Sequence, residues 1–186
     1  MKIGLVGEAP NDTRAIQNLL SGKYPQLDFV TLLNRINGSM LDNKKAIRRL
    51  LRVEFEDQTP DIVIFIRDLD SLENDRTAKR IRQETFSYSS HIVDRRGIHL
   101  LNIFELETLI FADIGTFNNH YGCVVNNIDD PMLVRMPKEV LIEASGYKFN
   151  ESHNPEIFNL LNIDNVIAGC RYFAAFIKKF NKAQAA

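Results

Sequence analysis

The chain has 186 residues, 45% of them hydrophobic and 25% charged, with a formal net charge of −1. This is the composition of an ordinary soluble globular protein, long enough to bury its own core in one domain, or in one domain with a small appended part. Bulk charge gives no pull toward polyanions, and Cys123 and Cys170 lack the spacing of a disulfide framework or zinc knuckle. Residues 1–7 are too short for a signal peptide, and the longest apolar runs are about a third of a membrane span, so a cytoplasmic chain without membrane contact is expected.

Taken in chain order, residues 2–7 (KIGLVG) read as a buried strand closed by Gly7. A helix follows over 11–22, capped by Asn11 or Asp12, with Ile16, Leu19 and Leu20 as its apolar stripe. Residues 27–33 are strand-like, and Asn37-Gly38 marks a turn. The next helix spans about 41–56, with Ile47, Leu50, Leu51 and Phe55 inward and a basic cluster outward. Residues 61–67 (DIVIFIR) form the clearest strand, followed by a helix over 73–86. Residues 90–94 and 98–103 offer one or two further strands before a helix near 104–114. After residue 115 short helices at 116–121, 138–145 and 155–161 lead to a last helix at about 164–180.

Strands that are continuously apolar and alternate with helices predict an α/β fold: a Rossmann-like, mostly parallel sheet of about four to five strands flanked by helices. Residues 1–115 would form this domain, and residues 116–186 a helical C-terminal extension packed on it.

Two strand ends carry carboxylates. The first runs into Gly7-Glu8 and the strand 61–67 into Asp68-Leu69-Asp70. In parallel sheets the crevice beyond the carboxyl ends of the strands is where ligands bind. Asp68 and Asp70 stand two apart, so extended backbone would turn both carboxylates to one side. Neighbouring carboxylates repel unless a cation sits between them, and hard oxygen donors suit Mg2+ or Mn2+. The plain alternative is that acidic residues after strands are helix caps and loop residues.

The pattern resembles the TOPRIM domain of topoisomerases, primases and nucleases of the overcoming-lysogenization-defect type. Residues 3–8 (IGLVGE) are similar to its glutamate segment, although Glu-Ala-Pro-Asn-Asp stands where many relatives have Glu-Gly. Residues 62–70 (IVIFIRDLD) are similar to its Asp-x-Asp segment. Residues 104–113 (FELETLIFAD) resemble a Glu-x-Trp-Leu-x-Ala-Asp segment of small stand-alone bacterial TOPRIM-like proteins, with Leu109 in place of the tryptophan. The resemblance implies that Glu8, Asp68 and Asp70 are catalytic and hold magnesium. Glu107 becomes a candidate further ligand, set among Phe104, Ile110, Phe111 and Ile114 on a helical wheel, with Glu105 and Asp113 behind it. It could equally be the rim of an amphipathic helix.

The resemblance implies a Mg-dependent nuclease of DNA or RNA, in phage defence or as a toxin-like effector, beside a partner ATPase. Arg67, Arg76, Lys79 and Arg80 are the residues expected to meet the nucleic acid, although Arg67 could simply neutralise the carboxylates and the basic helix faces could be solvated surface. Arg95-Arg96 is also expected near the crevice. The alternative is a non-catalytic binding or regulatory partner whose last helix, with Phe173, Phe176 and Ile177, serves a homo-oligomer. A phosphate-cradling glycine loop and a serine-hydrolase motif are both missing.

Overall fold

In the computed structural model, residues 1–33, 40–41 and 43–185 are described. The expected turn at Asn37-Gly38 lies outside them. Four strands, β1 (Lys2–Val6), β2 (Asp28–Leu33), β3 (Ile62–Asp68) and β4 (Gly97–Asn102), form one all-parallel sheet in the order β2-β1-β3-β4. β1 and β3 read as unbroken apolar runs because both faces of the sheet are covered; Ile3, Leu5, Val63 and Ile64 have no exposed surface. At Gly4 an added Cβ would come within 2.8 Å of the Leu32 side chain of β2, so a larger residue in the central strand would have to push that side chain aside.

Helix α1 (Pro10–Lys23) connects β1 to β2, α2 (Lys44–Gln58) connects β2 to β3, and α3 (Arg76–Ile92) connects β3 to β4. The first crossover steps one way along the sheet and the other two step the opposite way. Right-handed connections therefore put α1 on one face and α2 and α3 on the other. The two cores obey this: Ala15, Ile16, Leu19 and Leu20 of α1 belong to one apolar cluster, and Ile47, Leu51 and Phe55 of α2 to the other. Leu50, expected inward, is 46% exposed, because it falls one step beyond the stripe that meets the sheet.

Local chemistry moves several boundaries. The cap of α1 is Ala9, with Pro10 in its first turn; Asp12 sits at N3, and its carboxylate accepts from the Ala9 N–H at 3.1 Å. Asn43 caps α2 and Asp75 caps α3. α3 runs on to Ile92, so residues 90–92 of the expected strand are its last turn; Ile92 and Val93 are buried by packing on the sheet, which an apolar run alone does not distinguish from pairing in it.

The expected helix over 104–114 is a turn and a single helical turn, α4 (Thr108–Phe111), after which α5 (Ile114–Tyr121) begins. α6 (Pro137–Ala144) and α7 (Asn154–Leu160) follow. The last expected helix is two, α8 (Ile163–Gly169) and α9 (Arg171–Gln184). Cys170 breaks them with φ −122° and ψ 102°, and its Sγ accepts from the Phe173 N–H.

The helices after β4 complete the larger core on the α1 face. Phe158, Phe173 and Phe180 are fully buried there with Ile16 and Leu20. The Tyr24 ring meets Phe180 edge-on at 5.4 Å, and Asn18 donates to the Pro155 carbonyl at 2.7 Å. No described helix is long and apolar enough to cross a membrane.

Candidate functional site

The chain leaves β1 toward β2 and leaves β3 toward β4. The connections therefore diverge between β1 and β3, and the crevice beyond their carboxyl ends is the switch point of the sheet. A cleft of about 290 Å³ opens there, lined by Glu8, Asp12, Asp68, Asp70, Glu105, Glu107, Glu151 and Lys138. Seven carboxylates thus share it with one ammonium group. Glu8, Asp68, Asp70 and Glu107, set 99 residues apart at their extremes, are brought together.

Each is held differently. Asp68 ends β3 opposite Asn102 of β4, whose side-chain amide donates to Oδ1 of Asp68 at 2.9 Å. Burial pushes the Asp68 carboxyl well above the usual carboxylate range; the Asn102 bond opposes this, while Asp12, Glu107 and Glu8 add to it. Glu107 is 4% exposed and accepts from the Asn154 amide of α7 at 2.8 Å. Burial also pushes Glu107 up, against that hydrogen bond. Asp12 is raised to about 7 by burial, opposed by its bond to Ala9 and helped by Glu107, Glu151 and Glu8.

Asp70 departs from the expected geometry. The strand ends at Asp68, and Asp70 is left-handed at φ 56°, so extended backbone does not align the two carboxylates. The cause is a knot between the loops after β3 and β4. The Asp70 N–H donates to the Phe104 carbonyl at 3.0 Å, the Phe104 N–H returns to Ser71 at 3.3 Å, and Phe104 is itself left-handed at φ 58°. Such conformations cost about 1–2 kcal/mol in non-glycine residues, so the loops over-determine them. Asp70 still faces the cleft, where Arg82 of α3 donates to its carboxylate at 2.7 Å and to the Asp68 carbonyl at 2.9 Å.

The basic residues sort with the plainer of the two readings the sequence offered. Arg67, expected either to meet nucleic acid or to neutralise the carboxylates, is 6% exposed with its Nε 3.2 Å from Glu8, a buried counter-ion to it. Lys79 is tied to Tyr172 and Glu73, and Arg80 to Glu84 in its own helix; Arg76 is exposed. Arg96 donates to the Pro60 carbonyl, before β3 begins, which puts it at the opposite end of the sheet from the cleft. Asp113 binds Thr116, Asn162 and Asn165 and serves the loop architecture, whereas Glu105 joins the cleft.

Sequence reasoning missed Lys138 and Glu151, saw Arg82 only as part of a basic helix face, and took Asp12 only as a cap. Lys138 lies 3.6 Å from Glu105 and 3.7 Å from Glu151; burial lowers its affinity for a proton, but Glu105, Glu151 and Glu107 outweigh this and raise it. It is the second residue of α6, which follows Met136, left-handed at φ 51° before Pro137, a conformation the proline disfavours. The sequence marks this stretch only by Met-Pro-Lys-Glu, and here the chain sets a cation at the rim.

Among the described residues no three Asp, Glu, His or Cys side chains already converge on one point where an ion could sit. The donor set is nonetheless all hard oxygen, and three of its carboxyls carry a burial penalty that a dication would relieve, which fits magnesium or manganese and not a softer metal.

Comparison with curated proteins and with solved structures finds no match. One family model, described as a domain of unknown function, matches residues 8–181 and so spans the cleft from Glu8 to the last helix. The chain belongs to the DUF4276 family.

Proposed function

We propose that the chain is a metal-dependent nuclease of the TOPRIM kind, hydrolysing phosphodiester bonds of DNA or RNA with Mg2+ or Mn2+ held by Glu8, Asp68 and Asp70 and supported by Glu107. One observation carries the reading: seven carboxylates are gathered at the switch point of the sheet, three of them pushed up by burial, with one lysine among them. A magnesium ion bound there supplies an activated water and a counter-charge for the leaving oxygen.

The chain's own groups do the rest. Asn102 and Asn154 fix the orientation of Asp68 and Glu107. Arg67 holds Glu8 from beneath, and Arg82 clamps Asp70 and the Asp68 backbone. Lys138 at the rim can turn from Glu105 and Glu151 to a phosphate oxygen, drawing the backbone of the substrate over the carboxylates. A place in phage defence beside an ATPase belongs to the same proposal and rests on the likeness of motifs alone.

The test is cleavage of end-labelled single- and double-stranded DNA and RNA in magnesium, manganese or chelator. Activity should require the metal and fall by about 10²-fold or more in Glu8→Gln and Asp68→Asn, with circular dichroism unchanged. Equal cleavage by both variants would remove the site. Metal binding without cleavage of any substrate would favour the second reading, a non-catalytic binding module.

A further inference from the structure

One edge of the sheet is flanked by helices but not closed by them. β4 pairs with β3 alone among the described residues. Bonds from the Val63 N–H to the Arg96 carbonyl and from the Leu69 N–H to the Asn102 carbonyl, both 2.9 Å, fix the parity of the pairing. Even-numbered residues of β4 address β3, so the N–H and C=O groups of Gly97, His99 and Leu101 point away from the sheet. These three residues are only partly buried, and they line a groove of about 460 Å³ with Phe86 of α3 on one side and Phe176 and Lys179 of α9 on the other.

An open edge invites pairing, and proteins usually blunt it with proline, a charged residue or a bulge. β4 (GIHLLN) has no proline and no acidic or basic residue but the neutral His99, and its register with β3 is continuous. Burial, with Arg67, Lys179 and Arg82 nearby, lowers His99 to about 4, so the edge carries no charge of its own at neutral pH.

We propose that this edge docks an extended segment of a partner protein in which apolar and acidic residues alternate. A strand laid beside Gly97, His99 and Leu101 would present alternate side chains to the two helices. On the α3 side it meets Phe86, stacked on the His99 ring at 4.7 Å, which takes an apolar residue. On the α9 side it meets Lys179, which takes a carboxylate. A second copy of the chain fits worse. Antiparallel pairing of β4 with its own copy would lay α9 against α9, and the exposed Lys178, Lys179 and Lys182 of that helix stand without any acidic residue in it to answer them.

The probe is the blocked peptide Val-Glu-Val-Glu-Val-Glu, with Val-Lys-Val-Lys-Val-Lys and a fully N-methylated glutamate version as comparisons, titrated into the full chain. The glutamate peptide should bind and slow amide exchange at Gly97, His99 and Leu101. N-methylation should weaken binding by at least about tenfold, and Lys179→Glu should reverse the preference toward the lysine peptide. Failure of all three peptides to bind, or binding that leaves those amides unprotected, would overturn the proposal. Protection that rises with protein concentration and no peptide would name a second copy as the occupant and overturn it as well. None of these readouts depends on nuclease activity.

Discussion

At the scale of single residues, the cleft stores carboxylates against their preference for water. Asp12 is held at about 7 where an ordinary aspartate sits at 3.8. Between those values the folded protein keeps a proton that the unfolded chain has shed, so metal-free stability falls as pH rises from about 4 to 7 and the loss is complete above. Asp68 and Glu107, also raised, push the same way. His99 opposes them on the acid side: lowered to about 4 by burial, it withholds a proton that the unfolded chain takes up below its ordinary 6.5. Thermal melts without metal should therefore show stability lost as pH rises from about 6 to 7, above the range in which His99 offsets the loss. Asp12→Asn, which can still accept from the Ala9 N–H, should recover part of it at pH 8 and little at pH 5. On the proposed metal site, added magnesium should raise the melting temperature more at pH 8, since carboxylates must be deprotonated to bind it. A flat melting profile across this range, with no gain in Asp12→Asn, would contradict the burial argument.

At the scale of elements, the site depends on how helices end. The α8–α9 break at Cys170 lets the chain turn so that α9 lies along β4 while α8 sits against the loop of Asp113. Gly169 makes the turn possible by close approach. An added Cβ would stand 2.9 Å from the Cβ of Ala112 and 3.2 and 3.3 Å from its backbone Cα and carbonyl oxygen. Backbone atoms cannot step aside as a flexible side chain can. Gly169→Ala should cost about 1–3 kcal/mol, lowering the melting temperature by about 2–4 °C for each kcal/mol, and adding Ala112→Gly, which removes only the Cβ contact and leaves the backbone ones, should restore part of it. A Gly169→Ala protein as stable as the parent would mean that the two loops part freely.

At the scale of the whole molecule, the part after residue 115 supplies both core and chemistry. Phe158, Phe173 and Phe180 sit in one cluster with Ile16 and Leu20, and Lys138, Glu151 and Asn154 reach the cleft or its carboxylates. A chain ending at residue 115 should therefore expose the α1 face of the sheet and fail to give a cooperative melt. A sharp transition and dispersed amide spectrum from that fragment would show instead that the sheet stands alone.

Much of this was legible in the order of residues. The buried strands and their acidic ends follow from unbroken apolar runs, because a parallel sheet covered on both faces needs no alternation and must finish in a polar crevice. Glu8, Asp68 and Glu107 could be named from that logic and from likeness of motif. The bond that turns Asp70 left-handed, the burial of Arg67, and the arrival of Lys138 and Glu151 from distant helices could not. These depend on contacts between residues separated by tens of positions, where loop knots and packing override local preference. The sequence by itself determined that carboxylates would crowd the end of the sheet. Tertiary structure decided that Arg82 and Lys138 join Arg67 in answering them, since a counter-ion is chosen by proximity in space and by the cost of leaving a buried charge alone.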